Sequence, residues 1–268
     1  MKIVKLAGGL GNQMFQYAFG LMLMKKYKNV YFDKKNYKSI KDRKYELGLF
    51  PNLKIKFKQK HWFIPYHKSD DKNLFFFDEK LLNAHFNEYY TGYFQNEKYF
   101  KSVEQDVRKA FEFPKFDNND KINKEIVKHI KQCENPVFIH LRRGDYVNLQ
   151  GWLLDKEYYI KSVKYIKQHV KNPTFFLFSD ADENYIKNNF KIGCKYEYIG
   201  THNSDNNQDF RDMHLMSLCR HAIIANSSFS FWGAWLQKNK DKIVCMPKPW
   251  TNSINAEMCE NWIKIEHK

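Results

Sequence analysis

The stretch PVFIHLRRGDYV, residues 136–147, decides the fold. Its apolar run, Val137–Leu141, predicts a buried strand and gives way at once to two arginines, a glycine and an aspartate. Similar runs predict further strands at Thr174–Phe178, Tyr196–Ile199, Ala222–Ala225 and Lys242–Met246. Segments with helical spacing separate these strands, and the alternation predicts a parallel sheet covered on both faces.

The predicted helices of this region are Asp155–His169, Asp182–Phe190, Gln208–Cys219 and Phe229–Gln237. The chain before it is less regular. Its predicted elements are a strand (Lys2–Leu6), a glycine turn (Gly8–Gly11), a helix (Asn12–Tyr27) and strands at Val30–Phe32 and Tyr89–Phe94. We therefore expect an α/β protein of two Rossmann-like halves facing a cleft. The N-terminal α/β domain is placed at 1–118 and a doubly wound parallel sheet at 119–268, with ligands beyond the carboxyl ends of the strands.

The composition is that of a globular protein with excess positive charge. Of the 268 residues, 43% are hydrophobic and 17% aromatic, which excludes a disordered chain. The five cysteines are scattered and no apolar stretch is as long as a membrane span, so we expect a cytoplasmic protein with reduced thiols. The net charge is +15, and residues 1–60 hold 15 Lys and Arg against 3 Asp and Glu. An anionic partner is expected.

Residues 8–13, GGLGNQ, lie between the first predicted strand and the first predicted helix. Glycines there let backbone amides approach a phosphate, and the helix N-terminus adds partial positive charge. Two alternatives stay open. One is a dinucleotide fingerprint of Gly9, Gly11 and Asp33, which Met14 at the third glycine position weakens. The other is a plain tight turn without a ligand.

Two arginines directly follow the predicted strand 137–141. Guanidinium groups bind phosphate oxygens through two parallel hydrogen bonds, so an anion is expected to meet them. Alternate side chains leave a strand on opposite faces, and we therefore expect Arg142 to share its side with His140 and to face the anion. Arg143 is expected to form a structural ion pair with Asp145.

Polar residues also follow two later strands. Asp180 and Asp182 have the spacing of a metal–nucleotide motif that would hold manganese, but capping of the next helix is the interpretation we favour. Residues 209–235, DFRDMHLMSLCRHAIIANSSFSFWGAW, join a helix, a buried strand and a second helix. Ser227 and Ser228 are placed to cap that second helix.

Four strings carry a resemblance to a known family. They are GGLGNQMFQYAFG at 8–20, TGYFQNEKYF at 91–100, HLRRGDYV at 140–147 and HAIIANSSFSFWGAWL at 221–236. In this order they resemble the family-11 glycosyltransferases, the bacterial and animal α-1,2-fucosyltransferases, over almost the whole chain. The sequence departs from the family twice, with Phe231-Trp232 where Trp-Trp is frequent and Asp180-Ala181 where Asp-Asp is usual.

The resemblance implies an inverting enzyme of GT-B fold that needs no metal and no cofactor. Its donor substrate would be GDP-L-fucose, and its acceptor the 2-hydroxyl of a galactose, expected as the terminal β-galactose of a surface glycan or oligosaccharide. The general base stays open. Related α-1,6-fucosyltransferases have a Glu ten residues after their His, where this chain has Gln150, and Asp145 and Asp155 are the alternatives.

The matched motifs also imply roles for single residues. Arg142 would bind the β-phosphate with Arg143 beside it, and Asp212 and His140 would read guanine. The other implied substrate-binding residues are Gly9, Leu10, Gly11, Asn12, Ser179, Asn226, Ser227, Ser228 and Phe229. The implied catalytic residues are Arg142, Arg143, Asp145 and Asn12, and no metal ligand is implied.

Other functions compete with this interpretation. Lysines interleaved with aromatics at 54–66 suit nucleic-acid binding, but no recognised module is present, so we expect no nucleic-acid partner. The evidence for an oxidoreductase would be limited to the glycines and Asp33. A glycosyltransferase that uses another GDP-sugar is the nearer alternative. The charge of residues 1–60 predicts either peripheral contact with the anionic inner face of a bacterial membrane, where a lipid-linked acceptor is presented, or a solvated lysine-rich surface.

Overall fold

The computed structural model describes residues 1–38, 43–60, 65–70, 75–83, 86–205, 208–252 and 254–267. The chain forms two compact units, each with its own parallel sheet. Unit 1 comprises Met1–Lys115 and Glu257–Glu260, and unit 2 comprises Phe116–Ala256 and Asn261–Lys268. Within the described ranges, no helix combines the length and the apolar character needed to cross a membrane.

Unit 1 is built on four parallel strands. They are β1 (Lys2–Lys5), β2 (Val30–Asp33), β3 (His67–Asp70) and β4 (Glu88–Thr91), accompanied by the helices α1 (Leu10–Lys26) and α2 (Glu104–Ala110). The strand order is β2-β1-β4-β3. Strand β1 is central, with Ile3 opposite Tyr31 on one side and Tyr89 on the other, and its apolar side chains are fully buried.

Helix α1 is buried on most of its surface and anchors the core of unit 1. The ring of Phe19 stacks on that of Phe94 with 4.0 Å between centroids. Gly20 faces β2, where a Cβ atom would overlap the ring of Phe32. The glycine therefore allows the helix to pack directly on the sheet.

Two features of this sheet differ from the prediction. Strand β4 ends at Thr91 rather than Phe94, because Gly92 and Phe94 have positive φ angles of 126° and 54° that leave the extended ladder. Strand β3 was not predicted, since its sequence His-Lys-Ser-Asp carries no apolar alternation.

Unit 2 contains the regular alternation that the sequence predicts. Its strands are β5 (Asn135–Leu141), β6 (Pro173–Ser179), β7 (Glu197–Tyr198), β8 (His221–Ile223), β9 (Val244–Lys248) and β10 (Ile263–Glu266). Its helices are α3 (Lys121–Gln132), α4 (Lys156–His169), α5 (Glu183–Asn189), α6 (His202–Asp205), α7 (Phe210–Leu218) and α8 (Ser228–Trp235). The strand order is β10-β9-β8-β5-β6-β7, all parallel, which confirms the α/β class.

The last two strands differ from the prediction. Strand β9 starts at Val244 instead of Lys242, because Nζ of Lys242 donates to the carbonyls of Ala234 and Trp235 at 2.7 and 2.9 Å and so caps the end of α8. Strand β10 was not predicted and pairs with β9. The carboxyl ends of all six strands lie on one edge of the sheet, where the polar residues of the site follow β5, β6 and β8.

Candidate active site

Arg142 lies at the carboxyl end of β5 between two carboxylates. Its Nη2 is 2.7 Å from Oδ1 of Asp145, and its Nη1 is 2.5 Å from Oδ2 of Asp180. Its guanidinium carbon is 5.5 Å from the centroid of the Tyr146 ring. Burial opposes the charge, but Asp180 and Asp145 outweigh it and raise the pKa of Arg142 above its usual value. A permanently charged group therefore stands where parallel α/β sheets bind ligands.

The predicted ion pair between Arg143 and Asp145 is wrong. The guanidinium carbon of Arg143 lies 3.9 Å from the centroid of the Tyr185 ring, and its Nη1 donates to the Tyr185 hydroxyl at 2.7 Å. The reason is the short 3-10 helix at Gly144–Asn148. The chain turns at Arg143, which has φ −127° and ψ −62° and precedes this helix, and Asp145 pairs with Arg142 on the other side of that turn.

The two aspartates after β6 have different contacts. Oδ1 of Asp182 accepts the backbone N–H of Tyr185 at 2.9 Å, which confirms the predicted helix cap at the start of α5. Asp180 binds both arginines instead. Its Oδ1 accepts the backbone N–H of Arg143 at 2.7 Å, while its Oδ2 faces Arg142. Asp180 thereby fixes the turn that follows β5.

Ser179 joins the ends of β5 and β6. Its hydroxyl donates to the carbonyl of Leu141 at 2.8 Å and accepts the N–H of Ala181 at 3.0 Å. A Cβ atom at Gly144 would come within 2.5 Å of Oδ2 of Asp180, so the turn approaches that carboxylate as closely as only glycine allows. The geometry around Arg142 is therefore held by backbone and side chain together.

His140 lies on β5 under this turn. It is 5% exposed, and its ring centroid is 5.9 Å from that of Phe229. Burial, assisted by the charge of Arg142, lowers the pKa of His140 to about 3, so the imidazole is neutral. Its Nδ1 has no hydrogen-bond partner in the part of the chain that the structure describes.

The N-terminus of α8 belongs to the same cluster. Oγ of Ser227 accepts the N–H of Phe229 at 3.3 Å, which confirms Ser227 as the helix cap, and Ser228 is the first residue of the helix. Ser227 also hydrogen-bonds Tyr146, whose pKa burial raises to about 12. The partial positive charge of a helix N-terminus thus lies next to the Arg142 turn.

Asn226 holds the loop between β5 and α4. Its Nδ2 donates to the carbonyl of Trp152 at 2.7 Å, and its own carbonyl accepts the hydroxyl of Tyr146 at 3.0 Å. The rings of Tyr146 and Trp152 meet edge to face with 5.2 Å between centroids. Asn226, expected to bind substrate, is placed by these contacts to shape the loop.

Asp212 lies in α7 within a chain of buried polar side chains. Its Oδ1 accepts from Nδ2 of Asn203 at 2.6 Å. Asn203 in turn accepts from Asn123 at 2.8 Å, and Asn123 donates to Asp120 at 2.8 Å. Burial raises the pKa of Asp212 to about 7, although the bond from Asn203 acts in the opposite direction. The carboxyl group is therefore poised to change its charge near neutral pH.

The candidate site residues of unit 2 thus form two clusters of interacting side chains. The first contains Arg142, Asp145, Asp180, Tyr146 and Ser227, and the second contains Asp212 with its amide neighbours. Tyr198 connects them electrostatically. Its pKa is raised first by burial and then by several carboxylates, Asp212 and Asp180 among them.

The glycine turn of unit 1 starts α1 two residues before the predicted Asn12. The carbonyl of Gly9 accepts the N–H groups of Asn12 and Gln13 at 3.0 and 3.1 Å, so Gly9 is the cap and Leu10 the first residue of the helix. Gly8 adopts a φ of 77°, which favours glycine. The turn is therefore a strand-to-helix connection with its amides at the helix N-terminus.

Side-chain amides brace this turn. Oδ1 of Asn12 accepts from Nε2 of Gln95 at 2.6 Å. Nε2 of Gln13 donates to the carbonyls of Gly8 and Lys44 at 3.1 and 2.9 Å. These contacts explain why the matched string carries asparagine and glutamine beside its glycines.

Asp33, the acidic residue of the alternative dinucleotide fingerprint, is buried at the end of β2. One of its oxygens accepts the hydroxyl of Tyr89 at 3.0 Å, and the other accepts the N–H of Lys35 at 2.8 Å. Both oxygens serve contacts inside unit 1, which favours a structural role over recognition of a ribose.

Sequence reasoning missed Tyr146, Tyr185 and Asn203. Tyr146 lies inside the quoted string HLRRGDYV, so its position was a usable signal. Tyr185 and Asn203 gave none, because their contacts with Arg143 and Asp212 are made across loops and appear only in the folded chain.

Comparisons with known proteins agree with this architecture. The α-1,2-colitosyltransferase of Escherichia coli is 32% identical over 98% of this chain and 98% of its own, and the O-antigen biosynthesis glycosyltransferase WbnK of Escherichia coli is 29% identical over 97% and 99%. The α-1,6-fucosyltransferase NodZ, soaked with GDP-fucose, shares the fold with a TM-score of 0.50 at 10% identity, over 95% of this chain and 96% of that one. The fold is GT-B-like. The sequence model described as "Glycosyl transferase family 11" matches residues 1–266, and the chain belongs to that family.

Proposed function

We propose that the chain is an inverting, metal-independent α-1,2-fucosyltransferase. It transfers L-fucose from GDP-L-fucose to the 2-hydroxyl of a galactose, expected as the terminal β-galactose of a surface glycan or oligosaccharide. The observation that carries the proposal is Arg142, held at the carboxyl end of β5 beside the capped N-terminus of α8. Membership of family 11 and the similarity to an α-1,2-colitosyltransferase support the linkage.

The chemistry requires positive charge at the leaving group. When the bond between the sugar and the β-phosphate breaks, its electron pair stays on GDP while positive charge develops on the sugar. Arg142 would bind the β-phosphate, with Arg143 and the N-terminus of α8 beside it. Fixed donors of this kind are worth about 10²–10³ in rate each. Because these groups supply the charge, the reaction requires no metal ion.

Asp212 and His140 would recognise the guanine base. Guanine presents N–H donors on its N1 and N2 atoms, and an ionised carboxylate accepts from both. His140 is neutral and buried, and its Nδ1 atom has no hydrogen-bond partner among the described residues. Ser227, Ser228 and Phe229 would line the nucleotide, while Ser179 and Asn226 would act by holding the loops around it.

Unit 1 is proposed as the acceptor-binding unit and unit 2 as the GDP-sugar-binding unit. In unit 1, the segment Gly9, Leu10, Gly11 and Asn12 would offer its amides and the Asn12 side chain to the pyrophosphate or the fucose. This proposal uses the partial positive charge at the N-terminus of a helix of 17 residues.

GDP-colitose is the second candidate donor, because the 32% identical relative is a colitosyltransferase. Colitose lacks the 3-hydroxyl of L-fucose, so the two donors differ in one polar group. A transfer assay with both donors and a β-galactoside acceptor tests the proposal, with NMR of the product. We expect an α-1,2-linked fucoside in EDTA and a higher kcat/KM for GDP-L-fucose. A preference for GDP-colitose would reassign the donor, and the absence of transfer from either would refute the proposal.

The acceptor is proposed to be a lipid-linked glycan on the inner face of a bacterial membrane, met by a cytoplasmic enzyme. The similarity to WbnK, an O-antigen biosynthesis glycosyltransferase, supports such an acceptor. A cavity of about 430 Å³ opens at the amino ends of β1 and β4, lined by Met1, Lys2, Lys26, Tyr27, Lys28, Asn29, Phe86 and Asn87. Lys26 and Lys28 are exposed, whereas Lys2 is buried and donates to the carbonyl of Phe86; none of the lining side chains is acidic, and Phe86 is 84% exposed. Lysines around an exposed aromatic ring suit an anionic bilayer surface.

A further inference from the structure

The two carboxylates that bind Arg142 differ in their surroundings. Asp180 follows β6, its side chain is 22% exposed, and its second oxygen accepts the backbone N–H of Arg143 at 2.7 Å. Asp145 stands on the exposed turn at 144–148, and its side chain is 44% exposed. Asp180 therefore has a second contact with the backbone of the turn, and Asp145 is the more exposed of the two carboxylates.

The contact with Asp145 occupies a donor that a diphosphate needs. A guanidinium binds phosphate through two parallel N–H···O bonds. Here Nη1 of Arg142 faces Asp180, and Nη2 faces Asp145. A phosphate oxygen that approaches Nη2 meets the carboxylate of Asp145 at the same atom, and two anions so close repel each other.

We propose that Asp145 is a positioning residue that holds Nη2 of Arg142 in the donor-free protein and yields it to the β-phosphate when the donor binds. Asp180 keeps its contact with Nη1 of Arg142 in both states. The inference rests on the proposed function, because it takes Arg142 as the ligand of the β-phosphate. After transfer, the carboxylate of Asp145 returns to Nη2 and competes with GDP, which speeds product release.

A purely structural ion pair makes the opposite prediction. Arg142 keeps its contact with Asp180 and its position over the Tyr146 ring when Asp145 is neutralised. If Asp145 only stabilised the turn, its loss would loosen Arg142 and weaken nucleotide binding. If Asp145 competes with the donor, its loss strengthens binding.

The test is calorimetric titration of GDP into wild-type protein, Asp145→Asn and Asp180→Asn. Both substitutions remove one negative charge and keep the side-chain volume. We expect Asp145→Asn to lower the Kd of GDP by roughly three- to tenfold, the range that breaking an exposed ion pair and removing a like charge allows. Asp180→Asn is expected to raise that Kd, because the turn loses its anchor. Asp145→Ala is the second variant and should also bind GDP more tightly.

Kinetics supply a second readout. In Asp145→Asn we expect a lower KM for the donor, a lower kcat and stronger inhibition by GDP, because product release slows. Unchanged or weaker GDP binding in both Asp145 variants would overturn the inference. If Asp180→Asn also binds GDP more tightly, and to the same extent, the inference is overturned as well, because the loss of one negative charge would then explain the effect. If the wild-type protein binds no GDP, the proposed function fails instead.

Discussion

The neighbouring arginines 142 and 143 have different partners, and this difference decides what a substitution changes. Arg142 offers a planar fork between two carboxylates, whereas Arg143 stacks on the ring of Tyr185. Lysine keeps the charge of an arginine but neither its paired donors nor its flat surface. The role of each arginine is therefore separable by the same conservative substitution.

We predict that Arg142→Lys lowers kcat/KM by about 10²–10³ with the melting temperature almost unchanged, because the donor proposed to bind the leaving group loses its paired hydrogen bonds. Arg143→Lys should lower kcat/KM less, since its main contact in the structure is Tyr185. Steady-state kinetics and thermal unfolding of both variants check this. Near-wild-type kcat/KM in both variants would contradict the assignment of Arg142.

Asp212 predicts a pH dependence of base recognition. Its pKa is raised to about 7, mainly by burial, so the carboxyl group gains a proton as the pH falls below neutral. If Asp212 binds guanine as proposed, it does so in its ionised form, and GDP affinity relative to ADP should fall roughly tenfold between pH 8 and pH 6. ADP carries the same diphosphate and is the matched control.

The variant Asp212→Asn should bind GDP more weakly and show a GDP-to-ADP ratio that no longer changes with pH. A flat GDP-to-ADP ratio in the wild-type protein would contradict the role of Asp212.

The raised pKa of Asp212 also has a consequence for the stability of the fold. The protonated group's contribution to stability is complete below the unfolded-state pKa of about 3.9 and is lost as the pH rises through about 7.

At the scale of elements, the packing of α1 on β2 depends on Gly20. We predict that Gly20→Ala lowers the stability of unit 1 by about 1–2 kcal/mol, because the new methyl group overlaps the ring of Phe32. Helix propensity acts in the opposite direction by up to about 1 kcal/mol, so a net loss isolates the steric effect. Thermal unfolding measures it.

Gly48→Ala is the matched control, because its Cβ would make an ordinary contact of 3.5 Å with Tyr45. Its melting temperature should stay near that of the wild-type protein. A Gly20→Ala variant as stable as Gly48→Ala would contradict the packing described here.

Elements with a local signal were predictable, and elements that depend on distant partners were not. The apolar run of β5 and the cap at Asp182 could be read from the chain, since neighbours in sequence determine both. Strand β10 and the contact of Asp212 with Asn203 form only when separate segments meet. The partner of Asp145 was mispredicted because a 3-10 turn, rather than strand alternation, follows β5.

At the scale of the whole molecule, the charge of +15 exceeds what one nucleotide sugar requires. A pyrophosphate carries only about two negative charges, for which a few donors suffice. We predict that the protein sediments with phosphatidylglycerol vesicles at low salt, that high salt releases it, and that Lys26→Glu with Lys28→Glu weakens binding. Each lysine near such a surface is worth roughly 1 kcal/mol. Phe86→Ser should weaken the binding further.

Lys191→Glu with Lys195→Glu is the control, because it changes the charge equally on exposed residues of unit 2. If both double variants lose vesicle binding equally, the attraction comes from the net charge of the protein and not from the surface around Phe86. No sedimentation of the wild-type protein at low salt would identify the lysines as solvated surface.

We propose that arginines and helix amides, without a metal ion, hold a GDP-sugar at the carboxyl end of β5. Calorimetric titration of GDP-L-fucose into the protein in EDTA tests it most directly. We expect binding of the same affinity before and after chelation. Loss of binding in EDTA with recovery in manganese would contradict it, and would make Asp180 and Asp182 candidate metal ligands.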